Sequence, residues 1–405
     1  MDTLIPNPGA RNALRVAVVT ETYPPEINGV ARTVGLMVEA LCERGHEVQL
    51  VRPRQREEPD PPRGVGPHQR LVPGLPIPFY RHLQMGFAPP GLLRGEWSKR
   101  RPDLVHVVTE GPLGWTAVST ARALGIPTCS DFHTNFHSYS RHYGLGVFSG
   151  IVSRYLRALH NRTDCTLVPT AEMQSNLEAL AFERVKVVGR GVDTWLFSPA
   201  RRSERLRATW GCRGSETVVL YVGRIAPEKN LALFVQAALA MRAVDASLRV
   251  VLVGDGPQAA ELRARHPDFV FAGMRTGGDL AEHYASADVF LFPSTTETFG
   301  NVTLEAMASG LAVVACDYAA ARQYLRHDAS ALLAPLDDGA AFVRMAGLLA
   351  ASPELVSRLR SEARRAAETA SWSRAFDDLE RVLRNIVGTG RAGVAVGGDS
   401  VHVET

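Results

Sequence analysis

Short apolar runs that alternate with stretches of helical periodicity constrain this chain more than any other feature. The runs at residues 15–20, 104–108 and 126–130 have the length and apolar character of buried strands. After the first run, apolar residues recur from Val30 to Leu41 as on one face of a helix. Because strands separated by helices pair in parallel, we predict parallel sheets covered by helices.

The same alternation starts again in the second half of the chain. Apolar runs at residues 217–222, 248–253 and 289–292 again precede helical stretches. A chain of 405 residues is too long for one compact core. We therefore predict two domains, at residues 1–190 and 200–370, joined by a connection at 191–199. We predict a last helix at 371–387 and a disordered tail at 388–405.

Composition limits the class of protein. Apolar residues make up 45% of the chain and charged residues 21%, as in soluble globular proteins. We find no signal-like or membrane-spanning apolar run, so we expect a cytoplasmic protein. The five cysteines lack CxxC spacing and read as reduced core residues.

The charge is distributed unevenly between the halves. Residues 1–190 carry 22 Lys and Arg against 17 Asp and Glu, and residues 191–405 carry 23 against 25. This bias is too small to indicate nucleic acid, but it is compatible with an anionic surface or substrate near the first half.

The stretch Phe292 to Val314 predicts a strand, a loop, a helix and a further strand. Glu297 falls in the loop and Glu305 in the first turns of the helix, so both flank the helix start. The N-H groups and dipole there attract a diphosphate, while carboxylates accept bonds from sugar hydroxyls. Alternatively, Glu297 is a solvated loop charge and Glu305 an acid that favours a helix start.

Two cations follow the strand at 217–222. Arg224 stands at the strand end and Lys229 at the start of the next helix, where both can neutralise a diphosphate. A lysine at a helix start opposes the helix dipole, so a purely structural role explains it poorly. Gly29, before the first helix, lets a phosphate approach its backbone N-H.

His133 follows the strand at 126–130 by a few residues, at the sheet edge where open α/β folds bind ligands. It can donate a hydrogen bond to a sugar or its leaving phosphate, or it can simply cap a loop. Residues 79–101 and 148–162 combine apolar residues with arginines. Both stretches fit packing on the sheet and also fit contact with an anionic membrane surface.

Four motifs occur in order along the chain: Asn28 to Val30, Gly223 to Asn230, Gly254 to Pro257, and the stretch Phe292 to Val314. Together they resemble the retaining glycosyltransferase family 4 over about residues 15 to 387. The loops at 20–30 and 132–136 look most like members that glycosylate membrane lipids, including mannosyl and sulfoquinovosyl transferases.

The resemblance implies the GT-B fold, an α/β architecture of two Rossmann-like domains that face each other across a cleft, with the last helix crossing back to the first domain. It implies transfer of a hexose from a nucleoside diphosphate sugar, such as GDP-mannose or a UDP-sugar, to a hydroxyl acceptor. No DxD motif marks a metal site, and the family works without a metal, so neither cofactor nor metal is expected. Front-face attack assisted by the leaving phosphate is the implied mechanism.

The resemblance also assigns residues. Arg224 and Lys229 would stabilise the diphosphate, Glu297 would hold the sugar, Glu305 the ribose and His133 the sugar side. Backbone around the base and the phosphates would come from Gly29, Gly273, Met274, Thr298, Phe299 and Gly300.

The acceptor and the peripheral contact with the inner face of the cell membrane stay open. A soluble sugar or polysaccharide precursor is the alternative to a lipid. An inactive sugar-nucleotide-binding protein and a GT-B epimerase are further alternatives. Thr298 stands where the family often has glycine, and Asn28 replaces the first residue of a frequent Gly-Gly pair.

Overall fold

The computed structural model describes residues 13–26, 28–55, 58, 66–77, 80–133 and 148–396. Its chain forms two compact units. One unit takes its described residues from Met1–Thr134, Gly150–Val188 and Phe376–Thr405, and the other from Asn135–Ser149 and Gly189–Ala375. The chain therefore passes from the first unit to the second after Val188, close to the predicted connection at 191–199.

The first unit is built on a parallel sheet with the order β3-β2-β1-β6-β7-β8-β9. Its strands are β1 (Arg15–Val19), β2 (Glu47–Pro53), β3 (His68–Val72), β6 (Leu104–Val107), β7 (Thr128–Asp131), β8 (Cys165–Val168) and β9 (Val185–Val187). An antiparallel hairpin, β4 (Gly74–Ile77) and β5 (Tyr80–Gly86), lies between β3 and β6 in the chain. Residues 68–77 show no clear periodicity in the sequence, yet they contain β3 and β4, because strand pairing orders them.

Helices cover both faces of this sheet. They are α1 (Gly29–Glu43), α2 (Pro90–Lys99), α3 (Pro112–Ala123), α4 (Phe148–His160), α5 (Ala171–Ala179) and, from Phe376 onward, α14 (Trp372–Val396). Successive residues of β1 alternate between the two faces, so Val18 belongs to one buried cluster and Val19 to the other. Leu93 and Trp97 of α2 are buried in the second cluster, which favours packing as the role of residues 90–99.

The long final helix packs its apolar face onto the first unit. Leu379, Leu383 and Ile386 are buried with Val16 and Val34. The helix runs to Val396, so residues 388–396, which we predicted to be disordered, are helical. Residues 397–405 of the predicted tail lie outside the described residues, as do Phe136, His137 and His142 of the segment after β7.

The second unit is also a parallel sheet, with the order β12-β11-β10-β13-β14-β15. Its strands are β10 (Val218–Val222), β11 (Arg249–Val253), β12 (Val270–Gly273), β13 (Val289–Phe292), β14 (Ala312–Cys316) and β15 (Leu332–Ala334). Its helices are α6 (Glu204–Thr209), α7 (Leu231–Val244), α8 (Ala259–Arg265), α9 (Gly277–Ala285), α10 (Asn301–Ala308), α11 (Ala319–Tyr324), α12 (Gly339–Ala351) and α13 (Pro353–Ala367). A single buried cluster holds this unit together.

All five cysteines have free thiols, as predicted, and four of them are buried. In the part of the chain that the structure describes, no single helix combines the length and the apolar character of a membrane span. One pair of helices, Gly339–Ala351 with Pro353–Thr389, meets that criterion jointly, but a bend of 109° separates them.

Candidate active site

The order in which strands are added to the second sheet reverses between its two central strands, β10 and β13. β10 comes first along the chain, β11 and β12 follow on one side, and β13 to β15 lie on the other. Open α/β sheets bind ligands outside the carboxyl ends of their strands at such a switch point. The loops after β10 and β13 carry Arg224, Lys229 and Glu297, so the fold brings these predicted site residues to one edge.

The loop after β10 is held close to the loop after β11. A Cβ on Gly254 would lie 2.0 Å from the carbonyl oxygen of Gly223, and Gly254 has φ 132°, so only glycine fits there. Burial, together with the nearby Glu297 and Glu228 carboxylates, raises the pKa of Tyr221 well above its usual value. The protonated Tyr221 hydroxyl donates to the carbonyl oxygen of Arg224 at 2.9 Å. The backbone that presents Arg224 is therefore fixed.

The two cations differ in their surroundings. The Arg224 side chain is 42% exposed, and its Nη1 lies 3.2 Å from Oε1 of Glu228. Lys229 ends a short 3-10 turn, Pro227–Lys229, just before α7, and its side chain is 18% exposed. Lys229 is thus the more enclosed of the two charges.

Lys229 and Glu297 form an ion pair across the switch point. Lys229 Nζ lies 2.5 Å from Glu297 Oε1, and the Ser294 hydroxyl donates to the same oxygen at 2.7 Å. Thr296 Oγ1 donates to the carbonyl oxygen of Glu228 at 2.8 Å, which ties the two loops together. Glu297 is therefore not the solvated loop charge of the alternative interpretation, because it orients a lysine at the sheet edge.

The helix α10 begins at this edge with no side chain at its cap position. Gly300 precedes it with φ 89°, a left-handed conformation that favours glycine. The Thr303 N-H donates to the carbonyl oxygen of Gly300 at 3.0 Å, and Phe299 is buried against Tyr324. The side chain of Phe299 is thus part of the core, and only its backbone and that of Thr298 and Gly300 border the helix start.

Glu305 lies deeper than the sequence suggested. It is the fifth residue of α10, it is 5% exposed, and its Oε2 accepts a hydrogen bond from the Tyr284 hydroxyl at 3.0 Å. The helix starts at Asn301, so Glu305 falls in the second turn. A carboxylate so nearly buried needs hydrogen bonds, and Tyr284 supplies one.

Gly273 and Met274 stand at the end of the edge strand β12. Gly273 has φ 74° and its carbonyl oxygen accepts from the Gly254 N-H at 2.9 Å. Met274 is 52% exposed. Their backbone therefore borders the same loops as Arg224.

The first sheet has a switch point of its own, between β1 and β6. Glu21 follows β1, Glu110 follows β6, and His133 follows the neighbouring strand β7. Gly29 opens α1, where the Asn28 side chain accepts from the Ala31 N-H at 2.8 Å. Gly29 and His133 thus belong to the first unit, and the other predicted site residues to the second.

Two acids contact His133. Glu110 Oε1 accepts the His133 backbone N-H at 3.0 Å, and Asp131 Oδ2 lies 3.5 Å from His133 Nε2. The other carboxylate oxygen of Asp131 lies 2.9 Å from Nε2 of the buried His106. Burial alone would raise the pKa of Asp131, but His106 and His133 lower it well below its usual range.

Glu21 is the third acid at this edge. Its carboxylate accepts the backbone N-H groups of Gly86 and Leu113, each at 3.2 Å. Burial nevertheless raises its pKa to about 7. Our sequence analysis missed Glu21, Glu110 and Asp131 as site residues, although each lies at a strand end or within three residues of it.

Comparison with known proteins identifies the family of the chain. Residues 27–196 match the family model Glycosyltransferase Family 4, and residues 216–351 match Glycosyl transferases group 1. A GDP-mannose-dependent alpha-mannosyltransferase of Mycolicibacterium smegmatis is 36% identical, over 90% of this chain and 96% of that protein. The protein belongs to glycosyltransferase family 4. The predicted enzyme class is confirmed.

Two further proteins are similar to this family 4 glycosyltransferase. An alpha-monoglucosyldiacylglycerol synthase of Streptococcus pneumoniae is 26% identical, over 75% of this chain and 71% of that protein. The solved structure of a sucrose-phosphate synthase from Thermosynechococcus elongatus has a TM-score of 0.76 at 19% identity, over 93% of this chain and 100% of that one. With the two parallel sheets, this confirms the predicted GT-B class of α/β fold.

Proposed function

We propose that this glycosyltransferase moves mannose from GDP-mannose to a hydroxyl group of a glycolipid or diacylglycerol-type lipid, with retention at the anomeric carbon. The name of the mycobacterial relative supports the donor. The name of the diacylglycerol-directed relative supports a lipid acceptor. A UDP-sugar is the second donor to test, because that relative makes a glucosylated product.

The observation that carries the proposal is the pair of cations beside the start of α10. Arg224 and Lys229 follow β10, and α10 begins after β13, so both flank one switch point. Charge-assisted hydrogen bonds and helix N-H groups stabilise the negative charge that grows on a departing diphosphate. Glu297 orients Lys229 at this edge, with Oε1 of Glu297 lying 2.5 Å from Nζ of Lys229.

The reaction breaks the bond between the sugar's anomeric carbon and the diphosphate oxygen, and forms a bond from that carbon to the acceptor oxygen. The acceptor's proton passes to the departing phosphate oxygen on the same face of the sugar. In this scheme Glu297 binds sugar hydroxyls, Glu305 the ribose, and His133 the sugar from the first unit. Gly29 and residues 298–300 contribute backbone N-H groups.

Metal independence is part of the proposal. Arg224 and Lys229 supply the positive charge that a divalent cation supplies in other transferases. Activity should therefore be unchanged in excess EDTA. Loss of activity in EDTA that Mg²⁺ or Mn²⁺ restores would overturn metal independence.

The test of the function uses the full chain, radiolabelled GDP-mannose or UDP-glucose, and vesicles that contain diacylglycerol or a monoglycosyl lipid. We expect labelled lipid from GDP-mannose, with an alpha linkage by NMR. Labelled soluble oligosaccharide instead of lipid would establish the soluble-acceptor alternative. Release of neither product from either donor would overturn the proposed function.

We further propose that α4 brings the enzyme to an anionic membrane surface. Ile151, Val152 and Tyr155 expose 60%, 44% and 37% of their surface, which is unusual for apolar residues on one helix. Arg154 and Arg162, both exposed, flank them. Basic residues near an anionic leaflet each contribute about 1 kcal/mol, so this helix supports reversible binding.

Vesicle sedimentation tests the membrane contact. We expect binding to anionic vesicles that fades at high salt, and weaker binding after Ile151→Ser with Val152→Ser. Leu348→Ser is the matched control, because Leu348 is 56% exposed on a helix of the second unit. Equal binding by the α4 variant and the wild type, or no binding at low salt, would contradict the proposal.

A further inference from the structure

We propose that Glu110 is a positioning residue of the first-unit site, and that it acts by fixing the main chain that presents His133. The inference rests on the proposed function for the role of His133, but its geometry stands independently. Glu110 follows the central strand β6, and His133 follows the next strand, β7.

The first step is the contact between a side chain and a main chain. Glu110 Oε1 accepts the His133 N-H at 3.0 Å. His133 lies two residues beyond the last residue of β7, so sheet pairing no longer fixes its backbone. The Glu110 carboxylate thus accepts the His133 N-H just beyond the end of β7. A small displacement of a group that contacts substrate can cost two orders of magnitude in rate.

The second step is what holds the carboxylate itself. His160 Nε2 lies 3.8 Å from Glu110 Oε1, and His160 Nδ1 lies 2.9 Å from the Ser130 hydroxyl. The Ser130 hydroxyl also lies 2.9 Å from Thr163 Oγ1. The His160 ring is fully buried, 5.2 Å from the Phe132 ring and 5.8 Å from the Phe182 ring. The Glu110 carboxylate thus lies beside an imidazole ring that is buried and fixed by its own contacts.

The third step is the charge of Glu110. Burial alone would raise the pKa of its carboxyl, but the neighbouring His160 and His133 side chains, together with the bond from the His133 N-H, lower it. The ionised carboxylate is the stronger acceptor for the His133 N-H. Its environment therefore favours the state in which the contact is strongest.

The fourth step separates Glu110 from Asp131. Asp131 approaches the His133 ring at 3.5 Å, whereas Glu110 bonds to the His133 backbone. Asp131 is the last residue of β7 and is held by His106. The two acids thus constrain different parts of one histidine, and the Glu110 bond joins the residue after β6 to the backbone of His133 beyond β7.

Substitutions distinguish positioning from mere structural support. Glu110→Ala should lower kcat/KM for GDP-mannose by about tenfold to a hundredfold, because the backbone of His133 loses the hydrogen bond to Glu110. Glu110→Gln keeps an oxygen that accepts the N-H and should stay within about threefold of wild type. Glu183→Ala is the matched control, since Glu183 belongs to the same unit, is 59% exposed and pairs with Arg184.

The deciding measurement combines Glu110→Ala with His133→Ala. If Glu110 acts through His133, its loss adds nothing in the His133→Ala background, because coupled residues are not additive. An equal fall in both backgrounds would overturn the inference. Melting temperatures confirm that each variant is folded, and Glu110→Asp, whose side chain is one methylene too short to reach the His133 N-H, serves if Glu110→Ala is not.

A spectroscopic arm decides the inference without any activity. In protein labelled with ¹⁵N at histidine, the His133 ring signals are identified by their loss in His133→Ala. We expect Glu110→Ala or, if it does not fold, Glu110→Asp, whose shorter side chain does not reach the His133 N-H, to shift them, and Glu183→Ala to leave them in place. Unchanged signals in the folded Ala or Asp variant would overturn the inference even if GDP-mannose is the donor. Shifted signals with full activity in His133→Ala would instead overturn the proposed role of His133.

Discussion

The central strands of the two sheets end in opposite chemistry. After β10 and β13 of the second unit come Arg224, Lys229 and the uncapped start of α10. After β1 and β6 of the first unit come Glu21 and Glu110. Both pairs of strands flank a switch point, so one topology presents cations in one unit and carboxylates in the other.

The contrast between cations and carboxylates affects which chemical groups each sheet edge favours. Cations and helix N-H groups bind a diphosphate, whereas carboxylates accept hydrogen bonds from hydroxyl groups. Each site also compensates its charge locally: Glu297 pairs with Lys229, and His160 and His106 lie beside Glu110 and Asp131. The edge of the second sheet thus favours an anionic group, and the edge of the first favours hydroxyl groups.

The sharpest way to break the comparison is to remove the enclosed cation. Lys229→Ala should lower kcat/KM for GDP-mannose by about a hundredfold, through the lost charge-assisted bond and the unneutralised Glu297. Initial rates with labelled donor measure the effect, and Lys229→Arg is the control that keeps the charge. Wild-type activity in Lys229→Ala would remove the cationic site from the mechanism.

The carboxylate side of the comparison predicts a pH dependence of stability. The pKa of Glu21 rises from 4.5 to about 7 on folding, so between these values the folded state keeps a proton that the unfolded state has released. The stabilising contribution is full below pH 4.5 and is lost as pH rises toward 7. Allowing for partial exposure to water, the loss is about 2 kcal/mol.

Urea unfolding of wild type and Glu21→Gln at pH 5 and pH 7.5 measures this loss. Gln cannot ionise, so the variant should lack that part of the decline. Glu183→Gln is the exposed control, with the wild-type profile. Parallel profiles for wild type and Glu21→Gln would show that Glu21 does not titrate in this range.

The two cations of the second unit should not be equivalent. Arg224→Ala should lower kcat/KM for GDP-mannose by about tenfold, less than Lys229→Ala, because its guanidinium is more exposed and water screens it more. The same rate assay compares both variants with Glu228→Gln, which removes the Arg224 partner. A larger effect for Arg224 than for Lys229 would reverse the order of the two cations.

Local sequence was sufficient to place Arg224 and Lys229 after a strand of the second sheet. Strand ends are visible as apolar runs that stop at turn residues, so the neighbourhood of Arg224 and Lys229 could be predicted. The pairing of Lys229 with Glu297 could not, because it depends on β10 and β13 being neighbours, and the two residues are 68 positions apart in the chain. Strand order is a property of the assembled sheet.

The first site shows the other limit of sequence reasoning. Glu21 and Glu110 have ordinary sequence surroundings, and only the adjacency of β1 and β6 gives them a shared edge. Glu305 lies in the first two turns of α10, as predicted, but nothing local to it reveals how far its side chain is buried. The buried Tyr284 that holds Glu305 is 21 residues away in the chain.

The smallest expected effect concerns the two acids of the second unit, whose roles the proposal separates. Glu305→Gln should weaken GDP binding about fivefold, because the ribose loses a charged acceptor, and Gln can still accept from Tyr284. Glu297→Gln should change GDP affinity less than twofold, because Gln can still accept from Lys229, but it should lower the transfer rate, because its bonds to the sugar hydroxyls weaken. Calorimetric titration of GDP into both variants measures the affinities, with Tyr284→Phe as the control for a mere disturbance of the core.

Unchanged GDP affinity in Glu305→Gln would remove the ribose contact. Equal weakening in Tyr284→Phe would assign the effect to packing around Glu305 instead of to a bond with the nucleotide.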